Sequence, residues 1–463
     1  MADELGRRRF LAIATLAAGS PVFFGGTASA APGGAGARPG GPLPRRLPWP
    51  EANRIVARTR LPAFPPRRFP VTDHGAVGDG TTDNTAAFAA AIAACHAAGG
   101  GHVIVPPGTW LTGAIHLKSN VDLHLEDGST LRFSGDVTKY PIVLTRYEGI
   151  ECMNHSPMIY AHRQRNIALT GSGTLDADAT GAWNTGSDRA YLETLVAQGV
   201  PARERVVPGS GHFMRSTFVE PYECDTVLIQ GVRLRNSRFW QLHPTLCRNV
   251  TVDGVDTAAT KSQTDGCDPE SCDHVVIRNS TLGAYDDNIA IKSGRDDDGR
   301  RVNVPSQNIV VYDCHFSGPW GAITCGSEQT GGIRNVYAHN CTLETRYALY
   351  VKSNTLRGGF THNVNLDRFT ATNLKKSFVF ATTTYNNQTG SYTPRFGGFT
   401  ITNSTCDKAP VVFDMTGLSE APIVGLTVRN SAFTGIDDPV DKLTNVTRIR
   451  FRHVTVNGVP ATR

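Results

Sequence analysis

A short hydrophobic pattern recurs along most of this 463-residue chain. Each copy begins with a polar residue, continues with apolar residues at alternate positions and ends in asparagine, aspartate or glycine. From residue 226 onward, successive copies begin 23 to 35 residues apart. Alternating apolar residues predict strands, and a steady period predicts stacked coils. The clearest copies span residues 166–171, 226–231, 249–254, 274–279, 308–313 and 335–340, and weaker ones begin at Asn363, Gly398 and Gly425.

This repeat predicts the fold class. One coil cannot bury its own apolar row, so neighbouring coils must stack. We therefore predict an all-β, right-handed, single-stranded parallel β-helix that forms one elongated domain over residues 49–463. Sandwiches and propellers need hairpin turn signals at shorter spacing. Side chains at the end of each copy could stack as a ladder, namely Asn279, Asp313, Asn340, Asn403 and Asn430.

An alanine-rich segment near the start predicts a cap for this stack. Residues 82–98 have a Thr/Asp start and are followed by three glycines, which is typical of a helix and its end. A β-helix has open ends whose strand edges must be covered. We therefore expect a short N-terminal capping helix.

Three aspartates provide the strongest chemical signal. Asp265 lies on one predicted coil, and Asp286 and Asp287 lie at similar offsets on the next coil. Adjacent coils are about 4.8 Å apart, so these side chains should share one face. Clustered carboxylates raise each other's pKa, which can leave one as a proton donor and others as bases for water. A calcium site or a solvated acidic turn remains an alternative from the residues alone.

The first residues predict export. Three arginines at positions 7–9 precede an apolar stretch, and residues 28–30 read Ala-Ser-Ala, a small-residue cleavage site. The arginines resemble a bacterial twin-arginine signal. We predict a signal peptide over residues 1–30 and a Pro/Gly-rich flexible linker over residues 31–48. The apolar stretch is too short to span a bilayer permanently, so we expect no membrane partner.

Charge and cysteine usage narrow the function further. The formal charge is +5 without a dense basic run, so we expect no nucleic-acid partner. The ten cysteines form no Cys-x-x-Cys pair, so a structural zinc site has little support. Cys267 and Cys272 are close enough to pair, but buried free thiols are the expectation for most of the ten.

Several motifs around and beyond the aspartates occur in a characteristic order. They are FWQLHP at 239–244, TDGCD at 264–268, IAIKSGR at 289–295, GSE at 326–328, GG at 331–332 and YVK at 350–352. Together they resemble glycoside hydrolase family 28, the polygalacturonase and rhamnogalacturonase family of pectin-degrading enzymes. The resemblance extends over roughly residues 68–450. It implies the same right-handed parallel β-helix that the repeat predicts independently.

The resemblance implies a role for each matching residue. Asp286 would be the general acid, and Asp265 and Asp287 would activate the water. The family inverts, so the acid and base should stand about 6.5–9.5 Å apart to admit that water. Lys352 matches the lysine of an Arg-x-Lys motif that binds a galacturonate carboxylate. The reaction would need no cofactor and no metal.

Three positions depart from the family pattern. Gln263 stands where an asparagine is usual, Trp320 where a histidine is usual, and Tyr350 where the arginine of Arg-x-Lys is usual. A lysine cannot replace the bidentate carboxylate clamp of the missing arginine. The departures favour exo action or a rhamnogalacturonan backbone over simple endo-polygalacturonase activity. Trp320 and Tyr350 could stack on a sugar face or pack between coils.

Three further residues are candidates for substrate contact. Arg357 could supply the missing positive charge. Arg295 opens a charged insert, residues 295–301, that lengthens one coil beside the aspartates. Similar inserts wall off one end of the groove in exo-acting members, although a solvated loop is the alternative. His243 lies one coil before Asp265 and could contact substrate or hydrogen-bond within a turn.

The sequence thus predicts a secreted, monomeric hydrolase of pectic poly- or oligosaccharides. It would cleave α-galacturonosyl bonds with inversion. A calcium-dependent pectate lyase is a second possibility and would release an unsaturated product. A non-catalytic β-helical glycan-binding protein is a third, but such a protein has no need of the three aspartates.

Overall fold

The computed structural model describes residues 46–178, 183 and 186–462 of the chain. The expected signal peptide and most of the expected linker lie outside these residues. The described part holds four α-helices: α1 Pro50–Arg58, α2 Thr85–Ala97, α3 Arg189–Ala197 and α4 Asp296–Val302. Short 3-10 helices cover Val71–His74, Val137–Lys139, Ala202–Glu204 and Tyr385–Asn387.

Short strands make up most of the described chain. In its first half they are β1 Arg68–Pro70, β2 Asp79–Asp83, β3 Gly101–Val105, β4 Gly108–Thr112, β5 Ile115–His116, β6 Val121–Leu125, β7 Ser129–Phe133, β8 Ile142–Tyr147, β9 Ile150–His155, β10 Ile159–His162, β11 Arg165–Gly171, β12 Thr174–Asp176, β13 Val219–Tyr222, β14 Asp225–Gln230, β15 Arg233–Arg235, β16 Arg248–Asp253 and β17 Asp256–Ala258. The remainder are β18 Asp273–Arg278, β19 Thr281–Gly283, β20 Ile289–Ile291, β21 Ser306–Tyr312, β22 His315–Ser317, β23 Gly321–Gly326, β24 Ile333–Glu344, β25 Tyr347–Lys352, β26 Phe360–Ala371, β27 Ser377–Thr382, β28 Arg395–Thr402, β29 Thr405–Cys406, β30 Val411–Thr416, β31 Ile423–Phe433, β32 Lys442–Thr444, β33 Val446–Val456 and β34 Val459–Ala461.

Parallel pairing between successive coils builds the architecture. A 23-stranded sheet runs the length of the stack, and a 6-stranded sheet, β20-β23-β25-β27-β30-β32, forms another wall. Single bridges join Val219 to Leu242, Leu242 to Cys267 and Cys267 to Ile289, which extends that wall back to β13. Connections between parallel strands are right-handed as a rule. The predicted right-handed parallel β-helix is confirmed.

Aligned apolar rows fill the interior of the coils. One row is set by the strand register and runs through Val227, Val250, Val275, Ile309 and Val336, all of them buried. Burying each such side chain contributes about 1.5–3 kcal/mol. The predicted thiols also lie inside, since all ten cysteines are buried and free.

The predicted ladder at the strand ends is present in segments. Asn340 donates to Asp313 at 2.5 Å, and Asn430 donates to Asn403 at 3.3 Å. Both donors have positive φ, near +50°. Asparagine tolerates this left-handed conformation better than most residues, because its short amide can bond locally. The ladder residue type is therefore set by backbone conformation as well as by stacking.

Helix α2 covers the N-terminal end, as predicted. It is shorter than the expected 82–98, because residues 82 and 83 belong to strand β2. The Asp83 carboxylate accepts from the backbone N–H of Thr85, the first residue of the helix, at 3.0 Å. Phe88 and Ile92 are among the residues of this helix that enter the main apolar core. Gly100 N–H bonds the carbonyl of Cys95 at 2.9 Å and ends the helix.

Three segments outside the regular coils gather on one side of the stack. They are the antiparallel hairpin β8–β9, helix α3 and helix α4. Asp298 of α4 pairs with Arg205 at 2.6 Å and accepts from the backbone N–H of Glu151 at 2.8 Å, and both contacts are buried. The insert at 295–301 is therefore a packed helix rather than a solvated loop. None of the described helices is long and apolar enough to cross a bilayer.

Candidate active site

Asp265 and Asp287 occupy the same register position on consecutive coils. Cys267 bridges Ile289, and each aspartate lies two residues before its bridging partner. The backbone also ties the two turns together, since Gly266 N–H donates to the Asp287 carbonyl at 3.0 Å. The coil spacing thus brings together the two carboxylates that the sequence placed on one face.

Asp287 is held by a lysine and by backbone. Its Oδ2 lies 3.0 Å from Lys352 Nζ, and its Oδ1 accepts from Gly321 N–H at 2.9 Å. The residue is buried, so the paired ammonium group offsets the cost of removing its charge from water. Both oxygens of Asp287 therefore have a partner, one an ammonium group and the other a backbone N–H.

A second lysine holds Asp265. Lys292 Nζ lies 3.2 Å from the Asp265 carboxylate and 3.5 Å from that of Asp268. Burial raises the pKa of Asp265, and Lys292 opposes that rise. Asp268 is fully buried, and both burial and the neighbouring Asp265 raise its pKa well above the usual range. Of Asp265 and Asp268, Asp268 is therefore the neutral one, and Lys292 forms its ion pair with Asp265.

Asp286 is the carboxylate without an ion-pair partner. Its Oδ1 accepts only from the backbone N–H of Asp287, at 3.0 Å, among the hydrogen bonds of the described residues. Burial, followed by the charges of Asp265 and Asp287, raises the pKa of Asp286 to about 8. Asp286 is therefore protonated at neutral pH, while its two neighbours are held by ammonium groups.

The two lysines share a register position. Strand β20 pairs with β23, so Lys292, the residue after β20, aligns with Gly326. Gly326 in turn pairs directly with Lys352 of β25. Lys292 Nζ also lies 4.0 Å from the ring centroid of Trp240. Burial disfavours its charge, but Asp265, Glu328 and Asp268 together raise its pKa well above the usual range. A row of cations thus runs beside the row of aspartates.

These side chains line a pocket of about 230 Å³. All three aspartates and both lysines reach it. Further walls come from the β8–β9 turn, from α3 and α4, and from the segment after β27. The lining residues are Glu148, Arg189, Trp240, Gln263, Asp265, Asp286, Asp287, Lys292, Arg295, Trp320, Ser327, Glu328, Lys352, Arg357, Tyr385, Asn386 and Gln388.

Glu328 is the centre of a buried charge cluster on one side of the pocket. Its carboxylate lies 2.8 Å from Arg295, 3.3 Å from Lys292 and 3.7 Å from Arg357. Burial opposes its charge, but these cations lower the pKa of Glu328 well below the usual range. Glu148 adds a second carboxylate to Arg295, at 3.3 Å. The cluster fixes the arginine side chains in place without filling the pocket.

Four of the other predicted contact residues reach the pocket. Gln263 donates to Glu148 at 3.1 Å, and Arg295 and Arg357 take part in the Glu328 cluster. Trp320 also lines the pocket, and the Arg346 guanidinium lies 4.0 Å from its ring centroid. These four residues surround the aspartates on different sides.

His243 and Tyr350 do not reach the pocket. His243 is fully buried below Trp240, with Nε2 2.8 Å from Glu270. Hairpin β8–β9 covers this part of the wall, because Arg146 from β8 pairs with Glu270 at 2.9 Å. Tyr350 lies under Lys352, with the ammonium 4.3 Å from its ring centroid, and packs on Tyr347. Neither ring is open to a sugar, so both act in packing and in the buried polar network.

Several pocket residues were not among the predicted site residues. Lys292 and Glu328 lie within the quoted motifs, and Lys292 directly follows β20 of the site wall, which could have signalled its position. Glu148, Arg189 and Tyr385 lie in the β8–β9 turn, in α3 and in a short 3-10 helix, and carry no periodic signal. Their place in the pocket depends on how these segments fold over the coils.

The model of the family described as "Glycosyl hydrolases family 28" matches residues 95–448 of this chain. The chain belongs to this family. That membership makes it a glycoside hydrolase.

Individual family 28 proteins agree with this result. The crystal structure of a hyperthermoactive exopolygalacturonase from Thermotoga maritima superposes with a TM-score of 0.82 at 34% identity, covering 88% of this chain and 96% of that one. An exo-poly-alpha-D-galacturonosidase from Dickeya chrysanthemi is 28% identical over 77% of this chain and 64% of its own length. A probable polygalacturonase from Vitis vinifera is 25% identical over 78% of this chain and 73% of its own length.

Proposed function

We propose that this family 28 protein is an exo-acting hydrolase of galacturonan chains. The observation that carries the proposal is the difference between the three carboxylates. Asp286 has no cationic partner and has a pKa raised to about 8, whereas Asp265 and Asp287 each pair with a lysine. One proton donor beside two lysine-paired carboxylates that can accept a proton is what single-step hydrolysis of a glycosidic bond requires.

The reaction then follows from these protonation states. Asp286 gives its proton to the glycosidic oxygen as the bond to the anomeric carbon breaks. Asp265 and Asp287 accept a proton from a water molecule, whose oxygen attacks that carbon from the opposite side. The product sugar has inverted configuration, and proton exchange with solvent restores the starting state of the aspartates.

The charge of the pocket favours a uronate. Five cationic side chains line it, and of the five lining carboxyl groups Asp286 is protonated at neutral pH. Arg189 and Arg295 also pair with Glu193, and Arg357 pairs with Asp296, so the attraction for a galacturonate carboxylate comes from the position of these cations at the pocket and not from a net charge. Arg189 and Arg357 are the guanidinium groups that reach the pocket besides Arg295, and they supply the bidentate contact that Tyr350 cannot.

The pocket walls favour action at a chain end. An endo-acting enzyme needs a groove that is open along the polymer, whereas β8–β9, α3 and α4 place Glu148, Arg189 and Arg295 across one side of this pocket. Two relatives, from Thermotoga maritima and Dickeya chrysanthemi, are named as exo-acting enzymes. A rhamnogalacturonan backbone remains the alternative substrate, and the test below distinguishes it.

The lysine pairs also weigh against the lyase alternative. Lys292 and Lys352 place ammonium groups beside Asp265 and Asp287, where a calcium ion would need free carboxylate oxygens. A non-catalytic binding protein would have no use for an isolated carboxyl group with a pKa near neutrality.

The test is a product analysis with polygalacturonate and rhamnogalacturonan as substrates. From the first minutes, we expect polygalacturonate to yield galacturonate or one short product, with little loss of viscosity. The product should have inverted anomeric configuration by NMR. Asp286→Asn should lower the rate about 10²–10⁴-fold, and the exposed Asp437→Asn should not change it. Rapid loss of viscosity would refute exo action. Cleavage of rhamnogalacturonan but not of polygalacturonate would refute galacturonan as the substrate.

We further propose that the protein is a monomer exported through a twin-arginine signal. The proposal is supported by the arginines at 7–9 and the Ala-Ser-Ala site at 28–30. Replacing Arg7, Arg8 and Arg9 with lysine should retain the protein in the cell. Sedimentation of the mature protein should give the mass of one chain.

A further inference from the structure

Three strands at the C-terminal end of the stack are basic and contain no carboxylate. Strands β28, β31 and β33 hold five arginines and no aspartate or glutamate. All five side chains are exposed, and none forms an ion pair with any described residue. The arginines are Arg395, Arg429, Arg448, Arg450 and Arg452.

Four of these arginines lie close together on β31 and β33, and we call them the arginine face: Arg429, Arg448, Arg450 and Arg452. The strand register pairs Arg429 directly with Arg452. Adjacent strands are about 4.8 Å apart, and alternate residues of one strand are about 7 Å apart. Like charges placed directly opposite destabilise a sheet. The arrangement therefore has a cost that a bound polyanion would remove.

The same sheet balances its charges elsewhere. Upstream, the register aligns Asp225, Arg248 and Asp273 in an alternating row. Arg278 lies 2.9 Å from Asp253 on the adjacent strand. Exposed arginines without an ion pair also occur singly upstream, at Arg165, Arg233 and Arg334, but among the described strands Arg429 and Arg452 are the two arginines that the register places directly opposite each other.

The arginine face lies on a different wall of the β-helix from the pocket. Its rows belong to the 23-stranded sheet, whereas β20, β23 and β25 of the site belong to the 6-stranded sheet. One row continues from Arg450 through Asn365 to Tyr337. Helix α1 packs over this row at Tyr337 through Trp49. Among the described residues, α1 covers only that upstream part, and the arginines are open to solvent.

We propose that the arginine face is a second, non-catalytic binding surface for the acidic polysaccharide chain. The inference rests on the proposed function, because it takes the galacturonan polymer as the partner. Such a chain carries one carboxylate on each sugar, and guanidinium groups bind carboxylates with two hydrogen bonds. Several weak contacts to one polymer add up through effective concentration. The surface thus holds the polymer near the enzyme while a chain end enters the pocket.

The test removes two charges and compares polymer with oligomer. The double variant R450Q/R452Q is compared with R58Q/R203Q, which removes the same charge from exposed arginines that form no ion pair in the described structure. Binding to insoluble pectate is measured in an Asp286→Asn background at low and high salt. Because exposed ion pairs are individually weak, we expect R450Q/R452Q to bind about tenfold more weakly at low salt. The control pair should bind as the parent does.

The second part of the test measures activity on a short oligomer and on the polymer. With Asp286 intact, R450Q/R452Q should keep wild-type kcat/KM on a trigalacturonate and lose activity on the polymer at low substrate. Equal pectate binding by R450Q/R452Q and its parent, or an equal loss in R58Q/R203Q, would overturn the inference. So would a loss of binding to DNA without any loss to pectate. If the wild type hydrolyses no galacturonan oligomer, the proposed function fails instead, whatever the pectate binding.

Discussion

Lys352 Nζ lies 3.0 Å from Asp287 Oδ2, and both side chains are buried. The sequence motif suggested that this lysine contacts a substrate carboxylate. In the structure its nearest carboxylate belongs to the protein, while its side chain still lines the pocket. Lys352 can therefore pair with Asp287 and face a bound uronate at the same time.

Removing Lys352 should damage both stability and catalysis. Lys352→Gln leaves Asp287 as a buried carboxylate without its cation, which costs about 3–5 kcal/mol. We expect a lower urea midpoint and a lower kcat, with partial recovery of both in Lys352→Arg. The exposed Lys408→Gln serves as the control. If Lys352→Gln matched the wild type in both measurements, the pairing would have no functional importance.

The pH dependence of kcat/KM should report Asp286. The general acid must be protonated, and its pKa is raised to about 8. We expect the rate to fall about tenfold per pH unit above that value. On the acid side, the raised pKa of Asp265 should place the loss of activity above the usual range for an aspartate. Circular dichroism across the range separates this effect from unfolding, and a flat profile from pH 7 to 10 would contradict the assignment.

The same carboxyl group should lower the stability of the folded protein as pH rises. Asp286 has a pKa near 3.8 when unfolded and about 8 when folded, so the folded state binds more protons between these values. The free energy of unfolding then falls by at most about 1.4 kcal/mol per pH unit, and by less because Asp286 is partly exposed.

Asp286→Asn removes this penalty. Its melting temperature should exceed that of the wild type by a margin that grows from pH 5 to pH 8 and vanishes near pH 4. Thermal unfolding at several pH values measures the margin. Asp437→Asn should show no such trend. A constant difference between Asp286→Asn and the wild type would argue against a raised pKa.

Glu328→Gln should change how the pocket treats anions. The substitution removes the carboxylate that lies within 4 Å of Arg295, Lys292 and Arg357. These cations would then attract an anionic ligand more strongly, so we expect tighter inhibition by free galacturonate together with lower stability. Inhibition constants and urea unfolding give the two readouts. Weaker inhibition would show that Glu328 itself contacts the ligand.

The rows of the site were predictable because the coil repeat is periodic. Asp265 and Asp287 share a face for the same reason that Val250 and Val275 share the core, since position within the coil fixes direction. The raised pKa of one aspartate also followed from clustering. Which of the three aspartates carries the proton depended on the ion pairs of the lysines, and the sequence did not specify those pairs.

The pocket walls were not predictable from the repeat. Glu148 and Arg189 belong to segments inserted between coils, and no period fixes how such segments fold back. His243 was expected near the substrate because of its coil position. The hairpin β8–β9 covers that position, and Arg146 joins Glu270 and His243 in a buried network. Insertions thus determine which parts of the wall are open.

The shared register of Asp265 and Asp287 has a consequence for how the chain can vary. The separation of their backbones is set by hydrogen bonds between consecutive coils, not by the number of residues that connect them. Residues can therefore be added to or deleted from the turns of these coils without moving the two carboxylates relative to each other. Loop length in such an enzyme is free to diversify, and the catalytic spacing is protected from it.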